Sequence, residues 1–509
     1  MDVMPRGTNR RLITLATFAA TFLVSLDTAV MATAMPTVVT QLGGIASYAW
    51  VFSAYLLAST VTVPVYGKLA DLFGRKSVFL ASTLLFLAGS MLCGVSQDMT
   101  QLIIFRVVQG IGAGGIQPST QTILGDIYTL PERAKIAGIF SAIWGISGLL
   151  GPAIGGLLTE HFTWRAVFYV NAPVCIVAMA LIWKFLHEHV DHRRVRIDYP
   201  GALLISVGVT ALLLGLQGDL TLDGVVIPAS GLLGLAIVSL AVFVVQERRH
   251  PEPLIPLQIF TNRVIVACTL GATAGGAAWF GLLAFVPPYL QSVQGATPLV
   301  AGLILGITDV GWTIASTTMG RTVMRVGLRP PGVIGGLLAA VGFAAYRFVP
   351  VDSGLWVPML INFEIGLGLG LFLPLTTIAA QNAVGWNLRG VVTGMSSFAR
   401  TIGGSIGVAI AGVVFAAGIQ AASATGVDPN LLMSDAGRLQ VAPEEVAALQ
   451  AALAHTLGDV FLVFVGAALC ATAALAFLPS RVRELSSGSG RQELDLVEPP
   501  AQEVLSRGA

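Results

Sequence analysis

The sequence predicts an all-α integral membrane protein of fourteen transmembrane helices. Three observations carry this: a composition too apolar for a water-facing surface, a rhythm of apolar runs close to bilayer thickness, and cations confined to alternate connections. Of 509 residues, 55% are hydrophobic and only 11% charged, with a mean hydropathy of +0.81. A soluble domain carries roughly 25% charge, so most of this surface faces something other than water. A net charge of +1 gives no reason to expect nucleic acid as a partner. The six His and four Cys are too few and scattered for a metal or disulfide framework, and Cys93, Cys175, Cys268 and Cys470 each sit alone in an apolar run, as small hydrophobes do.

A membrane-spanning helix needs about 20 predominantly apolar residues, and its backbone must satisfy itself internally. The expected spans are 12–34, 48–67, 78–96, 102–125, 136–158, 165–186, 200–216, 226–246, 264–290, 299–323, 331–349, 355–380, 390–418 and 458–478. The first resembles a secretory signal, but its apolar run exceeds the roughly 7–15 residues of a signal core and contains Asp27. Cationic loops stay cytoplasmic. With the N-terminus inside, the internal connections hold Lys68, Arg75, Lys76, Arg133, Lys135, Arg193, Arg194, Arg248, Arg249, Arg321, Arg325 and Arg329, while the external ones hold little beyond Arg165, Arg347 and Arg438. Both termini are therefore expected in the cytoplasm.

Two polar cytoplasmic stretches, 187–199 and 246–263, bracket only two spans. The expected organisation is an N-terminal tail (1–11), a six-helix bundle (12–186), linkers with a two-helix central insert (187–263), a second six-helix bundle (264–480) and a disordered tail (481–509). An external loop at about 421–456 is expected to carry a short surface helix opened by Pro443, Glu444 and Glu445. The halves echo each other: Gly67 and Gly74, then Arg75, recur as Gly320 and Gly327, then Arg329, each between the second and third helices of its half. Transporters built from repeated halves show such symmetry, with substrate near the midplane between them.

Charge inside hydrocarbon costs at least about 2.5–3.5 kcal/mol per residue, so each buried ionisable group points to function. Five qualify: Asp27, Arg106, Asp309, Glu364 and Arg400. Asp27 lies about 10 Å and Arg106 about 6 Å below the external ends of their helices, close enough in depth to pair. Asp309, Glu364 and Arg400 each fall about 14–16 Å from a helix end. Two acids and one Arg at one depth suggest a proton and cation site; a purely structural pair of Asp309 with Arg400 is the other reading. Gly148, Gly151, Pro152, Gly155 and Gly156 place small residues at helical spacing on the fifth span, answered by Gly403, Gly404 and Gly407 on the thirteenth. Close packing and gating explain these equally well. Trp279, Phe280 and Phe285 either line a cation-binding cavity or form core and lipid-facing surface.

The loop 67–76 (GKLADLFGRK) resembles the signature of the major facilitator superfamily, and Arg106-Val107-Val108-Gln109-Gly110 its fourth-helix motif. Residues 145–156 (GISGLLGPAIGG) are similar to the fifth-helix motif of antiporters. Leu26-Asp27-Thr28 with Ala34-Met35-Pro36, Trp164-Arg165 with Phe168, Asn171 and Pro173, and Pro253-Leu254-Ile255-Pro256 resemble the fourteen-span drug:proton antiporters, over about residues 12–480. The resemblance implies the major facilitator fold, two six-helix bundles plus the insert, in a bacterial inner membrane. It implies that Asp27, Arg106 and Gln109 belong to the cavity and its proton coupling, and that Asp309 and Arg400 lie where this branch places functional charges; Glu364 joins these candidates by its depth alone. Gly67, Asp71, Gly74 and Arg75 would form a conformational latch, and Gly148, Gly151, Pro152, Gly155 and Gly156 the antiporter helix. Two departures stand out: the loop 320–329 has no acid matching Asp71, and the fifth helix carries none.

The expected function is export of drugs or other small amphipathic or cationic compounds by a monomer, with small-molecule substrate, protons and lipid as partners. No cofactor is expected, the proton gradient supplying the energy. A dedicated exporter of one metabolite, antibiotic, siderophore or lipid is the alternative. A membrane enzyme is disfavoured, since no His lies deep in a span and no HExxH, GxSxG or P-loop pattern occurs. A sensor is disfavoured because the loops leave little room for a signalling domain.

Overall fold

The computed structural model describes residues 9–128, 130–188, 198–216, 218, 220–222, 225–250, 257–350, 353–384, 389–423 and 443–480. Its long helices are α1 (Arg10–Leu42), α2 (Tyr48–Phe73), α3 (Arg75–Val95), α4 (Met99–Ile127), α5 (Leu130–His161), α6 (Asn171–Phe185), α7 (Tyr199–Leu216), α8 (Ala229–Arg249), α9 (Arg263–Pro288), α10 (Pro298–Val326), α11 (Arg329–Ala345), α12 (Trp356–Asn382), α13 (Arg389–Ser423) and α14 (Pro443–Ala476). Among the described residues, eleven helices are long and apolar enough to cross a membrane, and apolar stretches of α2 and α7 fall just short. Large apolar side chains such as Leu15, Ile104, Ile237 and Leu270 are exposed, which hydrocarbon, not water, accommodates.

Local chemistry sets the helix ends. Asn9, Asp98, Asn262 and Thr297 each accept a backbone N–H of the first turn of α1, α4, α9 and α10. Between α2 and α3 the chain turns at Gly74, φ +84°, and between α10 and α11 at Gly327, φ +86°. Left-handed backbone favours glycine, so the echo between these loops has a shared conformational cause. Pro287 and Pro288 remove two amide donors from the end of α9, and the chain widens there into a π-turn, Tyr289–Val293.

The pairing of helices repeats. In the first half α1 packs on α5 and α6, and α4 on α2 and α3; in the second, α9 packs on α13 and α14, and α12 on α10 and α11. The halves join through two equivalent contacts, α5 with α10 and α2 with α13, each matching the fifth helix of one half to the second of the other. The pair α7–α8 lies beside the α2–α13 contact, where Ile205, Val209, Leu213 and Phe243 pack on Leu57, Val61, Phe398 and Ile402.

Two expectations need correction. The surface helix and last span are one continuous α14, so residues 443–456 extend that span; the Ala/Leu run supports helix on both sides of the assigned break. The connection between α7 and α8 contains an antiparallel hairpin, Leu220–Leu222 with Val225–Ile227, that no periodicity signalled. The expected tails 1–8 and 481–509 and most of loop 421–456 lie outside the described residues.

Candidate functional site

The most buried charges of the first half form one cluster. Asp27 on α1 accepts three hydrogen bonds: from Arg106 Nη1 on α4 at 2.6 Å, from Gln109 Nε2 at 2.8 Å and from Asn171 Nδ2 on α6 at 3.1 Å. Arg106 Nη1 also donates to Gln109 Oε1 at 2.9 Å, and Nε to the Val51 carbonyl on α2 at 3.4 Å. Asn171 in turn donates to Ser90 Oγ on α3 at 2.9 Å. Asp27 is 2% exposed, and Arg106, Gln109 and Asn171 are fully buried. A buried ion pair persists only where its remaining polar atoms are largely satisfied; five helices supply those partners here, and only Arg106 Nη2 and Asn171 Oδ1 of the cluster meet no partner among the described residues. The Arg106 guanidinium carbon sits over the ring of Tyr55 on α2, 3.9 Å from the ring centroid.

Tyr55 also borders the central cavity, which holds about 830 Å³ of empty space counting its open mouth. Its walls come from both halves: Val24 and Thr28 of α1, Tyr55 to Val63 of α2, Ala113 to Gln121 of α4, Phe280 of α9 and Gly394 to Thr401 of α13. On each of four helices the residues that join the halves lie to one side of those that line the cavity. Tyr48 donates to the Ala284 carbonyl at 2.6 Å, Gln291 Nε2 donates to the Thr33 carbonyl at 3.1 Å, and Tyr48 packs on Phe285 and Phe415. These contacts close the cavity at the end of the bundle where α1 finishes.

The remaining intramembrane charges do not form one ion-paired site. Asp309 on α10 is buried with its carboxylate against α5, where a β-carbon at Gly148 would lie 2.5 Å from Oδ1. Glu364 on α12 and Arg400 on α13 are half-buried. Among the described residues no ion pair joins Asp309, Glu364 and Arg400. The Arg400 carbonyl instead meets Gly276, so α13 and α9 touch backbone to backbone. Of the three aromatics of α9, Phe280 lines the cavity, Trp279 packs on Trp312 at 5.0 Å, and Phe285 belongs to the core with Tyr48 and Phe464.

The small residues of α5 serve two neighbours. Gly151 and Gly155 lie against Ala29, Val30 and Thr33 of α1, while Gly148, Gly156 and the Pro152 carbonyl lie against Asp309, Leu299 and Gly302 of α10. Of the loop motif, the side chains at Gly67 and Asp71 fall outside the described residues. Arg75 is held within its own half: Glu188, just beyond α6, accepts the backbone amides of Arg75 and Lys76 at 3.0 Å each and pairs with the Arg75 guanidinium at 3.5 Å. Glu188, Ser90 and Tyr55 carried no sequence signal, and Asn171 stood only as part of a motif. A carboxamide inside an apolar run was the one clue available for Asn171.

Comparison with known proteins agrees with this architecture. The family model of the Major Facilitator Superfamily matches residues 17–408. The chain is 36% identical over 412 residues to the multidrug transporter protein MdtP of Bacillus subtilis, covering 80% of this chain and 76% of the relative. It is 33% identical to multidrug resistance protein 3 of the same organism, covering 77% and 76%. Among solved structures, a bacterial homolog of the human lysosomal transporter Spinster superposes with a TM-score of 0.67 at 17% identity, covering 93% of this chain and 98% of that one. With a repeated-half helical fold, a central cavity and these relatives, the chain is a membrane transport protein, not an enzyme, and belongs to the Major Facilitator Superfamily.

Proposed function

We propose that this protein exports small amphipathic compounds, drugs among them, in exchange for protons. One observation carries the reading: a buried acid, Asp27, is held by Arg106 directly behind the wall of a central cavity. A carboxylate in that position can exchange its partner for a proton, linking cavity occupancy to protonation. The relatives named for multidrug transport support the substrate class.

In this reading all fourteen long helices cross a bacterial inner membrane, both termini are cytoplasmic, and the monomer works by alternating access. The joined end of the bundle then faces outward and the cavity opens to the cytoplasm, ready to load. Asp309, against α5 at the contact between halves, is a second candidate for protonation when that contact opens. Glu364 and Arg400 are assigned to the same half without a pairing role. Arg75, with Gly67, Asp71 and Gly74, latches the cytoplasmic side in the opposite state. A membrane potential contributes about 2.3 kcal/mol per 100 mV for each net charge moved inward.

Uptake into everted vesicles tests the proposal. An imposed proton gradient should drive accumulation of an amphipathic dye by the wild type and not by Asp27→Asn. Loss of accumulation across a chemically broad dye panel, with the protein folded and inserted, sinks the drug reading and favours export of one dedicated metabolite.

A further inference from the structure

We infer that the cavity recognises uncharged amphiphiles, binding them through a paired carboxamide and aromatic walls and not through charge; this rests on the exporter reading and narrows its substrate. Among the described residues, none that lines the cavity is Asp, Glu, Lys, Arg or His. The charged pair beside Tyr55, Asp27 with Arg106, neutralises itself at 2.6 Å, and neither residue lines the cavity. Moving a cation from water into such a chamber sacrifices hydration without a counter-charge, a cost of several kcal/mol.

Aromatic walls are the rival source of cation affinity. Tyr55 would be the strongest of them, but its ring already carries the Arg106 guanidinium at 3.9 Å. Its π-system is committed to a cation. Phe280 and Phe398 remain as apolar surface.

The polar groups point to a specific chemistry. Thr28, Ser59, Thr60 and Thr401 donate their hydroxyl protons to carbonyls of their own helices. They offer a ligand lone pairs but no protons. Gln117 and Gln121 stand one turn apart on α4, and no described residue engages either carboxamide. Residues four apart share a helix face, so the two amides present paired donors beside apolar walls. A neutral compound with a carbonyl, amide or phosphoryl oxygen on an aromatic or aliphatic body fits this arrangement.

A near-isosteric pair tests the inference: triphenylphosphine oxide, a neutral acceptor, and methyltriphenylphosphonium, its cationic counterpart. Equilibrium binding of each to the purified full-length protein in detergent should favour the oxide by at least tenfold. Gln117→Glu, checked for wild-type elution and melting, should reverse the order by raising phosphonium affinity about tenfold and lowering that of the oxide. Gln121→Glu is the second variant should the first unfold, with the same expectation. Tighter binding of the phosphonium to the wild type, or no binding of either compound, overturns the inference. Proton-driven dye uptake into everted vesicles, measured on the same preparation, separates that outcome from failure of the exporter reading: uptake with phosphonium preference sinks only the inference, and absent uptake sinks both.

Discussion

Breaking the pair Asp27–Arg106 offers the sharpest test of the cluster. Asp27 faces three donors and no other acceptor partner. Asparagine at that position keeps one acceptor oxygen and turns an NH₂ group towards donors, leaving the fully buried guanidinium without its counter-charge. Removing one member of a buried pair costs about 3–5 kcal/mol. Arg106→Gln should cost a similar amount by stranding the carboxylate. The double variant removes both charges and leaves four carboxamides or amides able to re-pair. It should therefore lose little more than either single variant, a coupling of roughly 3 kcal/mol. Cys93, Cys175 and Cys268 are buried and Cys470 exposed, so a thiol-reactive fluorogenic dye reports unfolding on a constant background. Melting at one fixed scan rate should show two large single drops and a double drop close to one of them. Strictly additive drops would mean the two charges do not interact in the folded protein, and the placement of Asp27 at the centre of the cluster would fail with them.

Three further outcomes follow from the packing. Gly276→Val forces a side chain into the Arg400 carbonyl and should lower stability by about 3 kcal/mol in the same melting assay; Gly466→Ala, where a β-carbon meets nothing within 4 Å, should be neutral or stabilise by about 0.5–1 kcal/mol. Glu188→Gln keeps one acceptor for the first turn of α3 but loses the Arg75 pair. With Arg75 34% exposed and screened, the expected loss is about 1 kcal/mol, and a larger one would assign Glu188 a role beyond capping. Tyr55→Phe should leave efflux unchanged, whereas Tyr55→Leu removes the surface under Arg106 and should slow proton-driven efflux several-fold with binding of the neutral phosphine oxide within threefold; an equal fall in binding would reduce Tyr55 to a wall residue.

Fold and site were legible to different degrees, for physical reasons. In hydrocarbon a backbone must satisfy itself within the helix, so apolar length alone located α4, α9 or α12 to within a few residues. Depth along a helix is likewise countable at 1.5 Å per residue, and it put Asp27 and Arg106 at compatible levels before any coordinates. Depth is one coordinate of three. Asp309 and Arg400 share a level too, yet α10 turns Asp309 onto α5 while α13 sets the Arg400 backbone onto Gly276. Rotation about the helix axis decides such meetings, and a uniformly apolar helix gives no periodicity from which to read it. Ser90 and Tyr55 escaped notice for the same reason, and Asn171 was seen only as part of a motif, without its partner. Glu188 sat in a charged linker where one of three acids stands out only once α3 is seen to start beside it.

The division of α5 between its two neighbours bears on how the acids are exposed. At about 100° per residue, Gly148, Pro152 and Gly156 fall on one arc and Gly151 and Gly155 on the adjoining one. The first arc meets α10, across the boundary between halves; the second meets α1, within its own half. Parting the halves must therefore uncover Gly148 and Gly156, and with them the Asp309 carboxylate lodged at Gly148, while the Pro152 carbonyl keeps the Thr33 hydroxyl of α1. The second arc can stay packed throughout, keeping α1 and Asp27 fixed relative to α5. Asp309 is thus uncovered by motion between the halves, whereas Asp27 is uncovered only if α1, α4 and α6 rearrange among themselves. A transporter that needs a proton to reach Asp27 must then loosen one half internally, and the cavity wall best placed to transmit that demand is Tyr55, which touches both the chamber and Arg106.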